Sequence, residues 1–475
     1  MQNYHRHTSY SNIYIADSAT INEDYAKRAV ELGHKVISSV EHGWQGYYYE
    51  CFELAKKYDL KFVFGAEAYW VKDRIKEYSN GINKKGEETF ARDRSNHHII
   101  VLAKNENGRQ AINDALSEAN ITGYYFRPRL DLELILNLPP NDVFITSACI
   151  AFSGYDDVDD IILQFYKHFG KNFALEIQYH NTAKQKIWNK HLLELNEKYG
   201  IDLIVGLDSH YIHEDDAWQR DAILEAKGVE YPDEIGWYMD YPDDETVMKR
   251  FLEQGIFLRE QVQKAMDKTD VLLEFDDYDD VPIFSKEIKL PTLYPDLTVE
   301  EKNKLYRKII GTQFVEYMKN IPKEEYNRYY EGVEAEIKTY EDTGMVDYPL
   351  LDYAIVKDAV EHGGLITATG RGSAVGFMTN TLCGFSKVDR FKSAIKLYPE
   401  RFISTTRILE THSLPDIDLN VGNPEIFEEA QVRILGQEHT YPMIAFGTLK
   451  KKSAFKVTQK QKEWISGLLM KYLNK

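Results

Sequence analysis

Cysteine is scarce in this 475-residue chain, with only three, at Cys51, Cys149 and Cys383. So few, so widely spaced, cannot build a disulfide framework; they suit a reducing compartment, where a special cysteine is better used as a metal ligand. No apolar run approaches the roughly 18 residues that a membrane span requires. The opening Met1-Gln2-Asn3-Tyr4-His5 lacks the basic start and apolar stretch of a secretory signal. A soluble, cytoplasmic protein with no membrane partner is the expectation. Positive charge is also short: 58 lysines and arginines against 76 acidic residues leave a net charge of −18. That excludes a protein that coats nucleic acid through a generally basic surface. Acidic stretches lie at 231–245 and 270–280, whereas 449–475 holds eight lysines against the single acidic Glu463. Such a basic end serves either as a solvated helix face or as a contact to a phosphate backbone.

The length predicts two or three domains of about 100–200 residues each. Up to about residue 225, short β-branched or aromatic runs alternate with amphipathic segments of helical period. The strand-like runs are Asn3–His5, Lys35–Val40, Lys61–Tyr69, His98–Ala103, Val143–Thr146, Phe173–Gln178 and Asp202–Leu207. Between them fall helix-like stretches such as Ile21–Leu32, with acidic residues at its start and Gly33 after its end. Seven such β/α repeats predict a closed parallel barrel or an open doubly wound sheet, with the site at the strand C-terminal ends in either case. Polar residues at many strand ends favour the barrel. Residues 226–290, rich in Tyr, Asp and Pro, read as a connecting segment. Helices over Val299–Lys319 and Glu324–Thr343 follow, then a glycine-rich turn at Thr369–Gly376 and an acidic site at Asp416–Asp418.

His5-Arg6-His7 places two imidazoles at i and i+2, which an extended backbone points to one side. Asp208-Ser209-His210 repeats the spacing after the apolar run 201–207, and His42, Glu67, His98 and Cys149 each border another strand-like run. Imidazoles, carboxylates and one thiolate favour zinc, manganese or iron over magnesium. Adjoining divalent ions of this kind activate water and stabilise both oxygens of a phosphoryl displacement. Taken together, His-x-His, Asp17, Glu41-His42-Gly43, Gly65-Ala66-Glu67, His98 before Ile-Ile-Val-Leu-Ala, Cys149 and Asp-Ser-His resemble the PHP family over about 210 residues. The resemblance implies three divalent metals held by His5, His7, Asp17, His42, Glu67, His98, Cys149, Asp208 and His210, with His97 an alternative to His98. Glu41 stands where the family usually has Asp, and is expected to orient a ligand rather than to ligate. The implied activity is phosphodiester hydrolysis of the 3′–5′ exonuclease kind.

In the second half, Thr369-Gly370-Arg371-Gly372-Ser373 follows an apolar run and precedes the helix-like 377–382. Glycines let backbone approach an anion, and a helix start adds unpaired N–H groups. Pro415-Asp416-Ile417-Asp418 then offers two carboxylates on one face of an extended run, suited to magnesium. With Asp347-Tyr348, Glu400-Arg401-Phe402 and Ala445-Phe446-Gly447-Thr448, these motifs resemble the palm of bacterial C-family polymerases, the polymerase III alpha subunits, over about 226–456. By that resemblance Gly370, Arg371, Gly372, Ser373 and Arg401 bind the incoming dNTP, with Arg407 a further candidate. Asp416 and Asp418 would be catalytic and hold magnesium, and a DNA primer-template is the implied partner.

The organisation expected is therefore α/β: a seven-stranded (β/α) PHP barrel over 1–225, the connection 226–290, an incomplete α+β nucleotidyltransferase-type palm over 291–430, and the beginning of a thumb over 431–475. With only 57 residues after Asp418, the third palm aspartate, the complete thumb and the fingers of such polymerases are not all expected in this sequence. DNA synthesis is expected only when they are supplied, in the same or a separate polypeptide. Two other classes compete: an inert PHP and palm platform that docks the rest of a polymerase, and a freestanding PHP phosphoesterase or nuclease.

Overall fold

The computed structural model describes residues 1–14, 17–229, 231, 234–279, 281, 290–368, 371–372, 376–394, 404–406 and 417–441. Two compact units divide the chain, Met1–Phe284 and Ser285–Leu449. No helix among the described residues is long and apolar enough to cross a membrane.

The first unit carries β1 (Val36–Ser38), β2 (Lys61–Val63), β3 (Gly65–Val71), β4 (Glu77–Ile82), β5 (Glu88–Arg92), β6 (His97–Ala103), β7 (Leu130–Asp131), β8 (Val143–Thr146), β9 (Phe173–Ile177) and β10 (Leu203–Val205). Six strands form one sheet in the order β10-β9-β8-β6-β3-β7, and β1 pairs in parallel with β2. The expected single strand 61–69 is broken in two. At the break, a Cβ on Gly65 would come within 2.7 Å of the Val101 carbonyl oxygen, so only glycine lets the chain turn against β6. Asn3–His5 is not a strand; the adjacent Arg6 makes an isolated parallel bridge to Ser209, and His42 makes one to Glu67.

The pairing is not uniformly parallel. β6 runs antiparallel to both β3 and β8. The reason is local: β3 is followed by the β4–β5 hairpin rather than by a crossover helix, so the chain returns directly alongside itself. The sheet is buried on both faces, as a strand set covered by helices must be. Along β6, Ile99, Val101 and Ala103 join the large core, while Ile100 and Leu102 face an inner core with Tyr4, Val63, Phe144, Ala174 and Ile204.

Much of the segment read as a connection belongs to this same packing. Helices Asp244–Gln254 and Arg259–Asp267 bury Val247, Phe251, Val262 and Met266 in the large core, and Leu272 and Phe275 reach the inner one. The Asp and Tyr residues that suggested a linker lie before and after these two helices, at 231–243 and 276–280, and not among their apolar positions.

In the second unit, Thr298 opens the helix Val299–Met318 with a reciprocal cap: its hydroxyl accepts from the Glu301 N–H, and the Glu301 carboxylate accepts from the Thr298 N–H at 2.9 Å. This helix, Tyr326–Asp342 and Asp347–Glu361 share a core containing Tyr306, Ile310, Tyr340, Leu350 and Ala359. Two short strands, β11 (Arg371–Gly372) and β12 (Ile417–Asp418), pair antiparallel with Arg371 opposite Asp418.

Candidate metal centre

The two bridges assemble the site. Arg6 and Ser209 lie side by side, with His7 N–H donating to the Ser209 carbonyl at 2.8 Å and Ser209 N–H to the His5 carbonyl at 3.2 Å. The residues on either side of each partner then project together, His5 and His7 beside Asp208 and His210, while the Arg6 side chain turns away to Asn22 and lies over the Tyr25 ring. The second bridge sets His42 against Glu67. Gly43 next to it has φ +70°, and a Cβ there would stand 2.9 Å from the Tyr69 ring, so the Glu-His-Gly run needs its glycine. Backbone strain concentrates at the same end: Asp208 and Ala148, the neighbour of Cys149, are both left-handed at φ +49°.

Glu67 is the hub. Its Oε1 lies 3.2 Å from His5 Nε2 and 3.0 Å from His98 Nδ1, and its Oε2 lies 2.6 Å from His42 Nδ1 and 3.3 Å from His7 Nε2. Asp208 Oδ1 is 3.2 Å from His5 Nε2 and 3.3 Å from His7 Nε2. Asp17 joins through His210 Nε2 at 3.2 Å, and Cys149 Sγ lies 3.4 Å from His98 Nδ1. Three triads have donor atoms within 4.8 Å of one another: His7, His42 and His210; His5, His7 and Glu67; and His42, Glu67 and His98. All nine side chains named from the resemblance are thus brought to one place. His97 is not: it faces the other side of β6, its Nδ1–H donating to the Ala151 carbonyl at 2.6 Å and its ring packing on Tyr155 and Trp70.

These donors fit cations. His5 Nε2, His7 Nε2, both ring nitrogens of His42, both oxygens of Glu67, Asp17 Oδ1 and His98 Nε2 are buried without a well-formed hydrogen bond; the close approaches among them, such as Glu67 Oε2 to His42 Nδ1, are charge contacts whose angles do not make one. Leaving so many polar atoms orphaned costs about 1–3 kcal/mol each, unless something else completes them. Their electrostatics hold the carboxylates ionised and divide the imidazoles. Burial would raise Glu67, but His98, His42 and His5 hold it well below the usual carboxylate range, and His5 does the same for Asp208. Burial, with His42 adding repulsion, pushes His7 down to about 3, so it is a neutral donor. Against burial, Glu67 and Cys149 push His98 up to about 9.

A further layer orients the donors. Glu41 accepts from Thr8 N–H at 3.1 Å and from the Ser11 hydroxyl at 2.5 Å, and Ser11 meets His7 Nδ1 at 3.1 Å. This is the supporting place expected of Glu41. Sequence reading missed Glu176, which is buried on the inner face of β9. Its Oε1 is 2.6 Å from His5 Nδ1, and its Oε2 accepts from Tyr4 and Thr146 hydroxyls at 2.8 and 2.9 Å. A carboxylate in the middle of an apolar strand was the available signal. Also missed was the wall of the cleft, about 960 Å³, into which His42, His98, Asp17 and Asp208 open; Arg127, Arg220, Asn96 and Trp237 line it. Arg220 spans Glu234 at 2.7 Å and Asp17 at 3.8 Å.

Of the second constellation, Gly370, Ser373, Arg401, Arg407 and Asp416 lie outside the described residues, as does the Arg371 side chain. What is described is the strand pairing of Arg371 and Gly372 with Asp418 and Ile417, extended by Thr367 N–H donating to the Asn420 carbonyl at 2.9 Å.

Residues 3–180 match the PHP domain, and 302–471 match the bacterial DNA polymerase III alpha NTPase domain. DNA polymerase III subunit alpha of Aquifex aeolicus is 25% identical over 476 residues, covering 95% of this chain. That of Borreliella burgdorferi is 28% identical over 475 residues, with the same coverage. Along nearly its whole length the present chain is thus similar to polymerase III alpha subunits, with a PHP match in its first part. It spans 39% and 38% of the length of these two relatives. An amidohydrolase from Chromobacterium violaceum overlaps 44% of this chain and 87% of its own at 13% identity and a TM-score of 0.30, on which nothing further rests.

Proposed function

We propose that the nine-residue cluster is a trinuclear divalent metal site of zinc, manganese or iron that hydrolyses phosphodiesters in the 3′–5′ exonuclease manner. It would do so within the N-terminal part of a cytoplasmic replicative polymerase. The observation that carries this reading is the set of buried, unpartnered donor atoms contributed from positions 5 to 210 at one end of the sheet. When bound, the metals supply Lewis-acid activation of water and neutralise charge on the phosphate. The chain does the rest. Glu176 and the Glu41–Ser11 pair fix the ring planes of His5 and His7. Arg127 and Arg220 stand in the cleft wall as guanidinium partners for non-bridging phosphate oxygens. The inner-face core, the two bridges and the parallel β8-β9-β10 run support reading the first unit as a PHP barrel with β6 reversed.

For the second unit we propose a nucleotidyltransferase palm. Asp416 and Asp418 would hold magnesium, and Gly370, Arg371, Gly372, Ser373 and Arg401 would take the dNTP. It would act on a primer-template once thumb and fingers complete it. The pairing of Arg371 opposite Asp418 supports this, because it brings the two motifs to adjoining strands.

The test is release of nucleotides from 3′-labelled DNA with manganese or zinc, by wild type and by Asp208→Asn. Loss of at least 100-fold in the variant is expected, since one member of a shared metal site is removed. Equal residual activity in both would leave the cluster as a metal-stabilised docking platform.

A further inference from the structure

Beside the metal cluster, residues 124–129 form a loop whose construction exceeds what folding requires. Arg129, buried, donates to the carbonyls of Tyr125 and of Arg127, the latter at 3.1 Å, and to the Ser95 carbonyl at 3.2 Å. Tyr125 N–H donates back to the Arg127 carbonyl at 3.1 Å, closing the turn. Held inside this clamp, Phe126 sits in the left-handed region at φ +65°, a conformation that a phenylalanine rarely adopts. Its ring is not buried in return: it is 60% exposed. Strain in a bulky residue that gains no core packing points to a use for the ring where it stands.

The ring is nonetheless supported. The Arg94 guanidinium lies 4.3 Å from its centroid, and Tyr125 meets it edge-on at 4.8 Å. That leaves the ring exposed on a firm base. The loop borders the cleft through its neighbours: Asn96, two residues along from Arg94, and Arg127, next to Phe126, line it. Arg127 turns inward. Its guanidinium lies 4.7 Å over the Tyr69 ring, and Tyr69 in turn packs on His98 at 5.1 Å. Arg127 Nη1 is shielded from solvent with no hydrogen-bond partner. A guanidinium with an unfilled Nη1 beside the donor cluster and an exposed, braced aromatic one residue before it are the two halves of a nucleotide grip: one for phosphate, one for a base.

We propose that Phe126 is a stacking platform for an unpaired base of single-stranded nucleic acid, with Arg127 taking the phosphate next to it, so that this loop selects single-stranded 3′ ends for the metal site. The proposal rests on the phosphodiesterase reading of that site. A base stacked within a duplex already has its neighbours and gains nothing from the ring; a frayed or mismatched end does. The selection is by unpairing, not by sequence, because every base has a π-face.

The experiment uses the whole chain and an oligonucleotide with 2-aminopurine at its 3′ end and phosphorothioate linkages that resist cleavage. Wild type should quench the fluorophore on binding and prefer the single strand over a blunt duplex. Phe126→Ala should lose the quenching, weaken single-strand binding about tenfold, the effect of removing one stacked base, and erase most of the preference. Phe126→Tyr should restore all three. Because the ring is exposed, the thermal midpoint of Phe126→Ala is expected to match or exceed that of wild type. Quenching and affinity in Phe126→Ala equal to wild type would overturn the platform, and so would Phe126→Tyr behaving as Phe126→Ala does. A separate arm follows manganese-dependent turnover of methyl p-nitrophenyl phosphate by wild type. Its absence would refute the phosphodiesterase reading, while the binding arm would still decide the platform.

Discussion

Glu176 governs how His5 presents its outer nitrogen. One oxygen takes the His5 Nδ1 side at 2.6 Å and the other is fixed by Tyr4 and Thr146, so the carboxylate cannot swing and the imidazole keeps Nε2 toward Glu67 and Asp208. Such partners set the tautomer and plane of a ligand, and losing one typically costs about 10–100-fold in metal affinity. Glu176→Gln, which keeps the shape and one acceptor but not the charge, should weaken manganese or zinc binding by that order in competition with a chelator. Unchanged affinity would show that His5 needs no such partner.

At the scale of elements, two reciprocal arrangements explain why distant residues meet. A parallel bridge pairs the middle residues of His-x-His and Asp-x-His, and the period-two backbone throws the outer residues to one side. That spacing was legible in the sequence, as were the apolar runs that end beside His42, Cys149 and Asp208. The direction of β6 was not. His98 is the second residue of its strand, and in a wholly parallel sheet it would sit at the end away from the other donors; the reversal of β6 brings it back. Nothing in the apolar run 99–103 states its direction, which the hairpin before it decides. Glu176 was marked only as a lone carboxylate in an apolar run, and Arg127 by nothing: a single carboxylate or guanidinium carries no spacing pattern, and its role comes from neighbours 171 and 58 positions away.

In the second unit, Glu336 of the helix Tyr326–Asp342 accepts the N–H groups of Met378 and Thr379 at 3.0 and 2.8 Å, capping the short helix Met378–Leu382, and pairs with Arg390 at 2.7 Å. Burial pushes its carboxyl from the ordinary 4.5 up to about 7, opposed by Arg390. The folded chain therefore binds its proton more tightly than the unfolded chain does. Its contribution to stability is fully present below about pH 4.5 and is lost as pH rises through about 7. Asp352, pushed up to about 7 by burial, adds a slope of the same sign. Denaturant unfolding of the second unit across this window should show stability falling with pH, and Glu336→Gln should flatten the slope. A variant slope as steep as wild type would place the titration elsewhere.

For the molecule as a whole, an acidic chain with a strongly donor-rich pocket is the combination to explain. A surplus of negative charge is unfavourable for generalised binding to DNA, so on the proposed reading contact with phosphate would be local, to metals that the donor cluster would hold in the cleft floor and to Arg127 and Arg220 in its wall. The two units have separate cores, the first unit's on both faces of its sheet and the second's around Tyr306 and Tyr340. Phosphate contact and catalysis as proposed both depend on whether cations fill the donor cluster of the first unit. The most direct measurement is elemental analysis of the whole chain after loading with manganese or zinc and removal of free metal, beside Glu67→Gln. About three tightly held equivalents per chain are predicted, the number that nine donors can serve at three each, with most of that lost in the variant that removes the hub. No retained metal, or the same content in Glu67→Gln, would contradict the account.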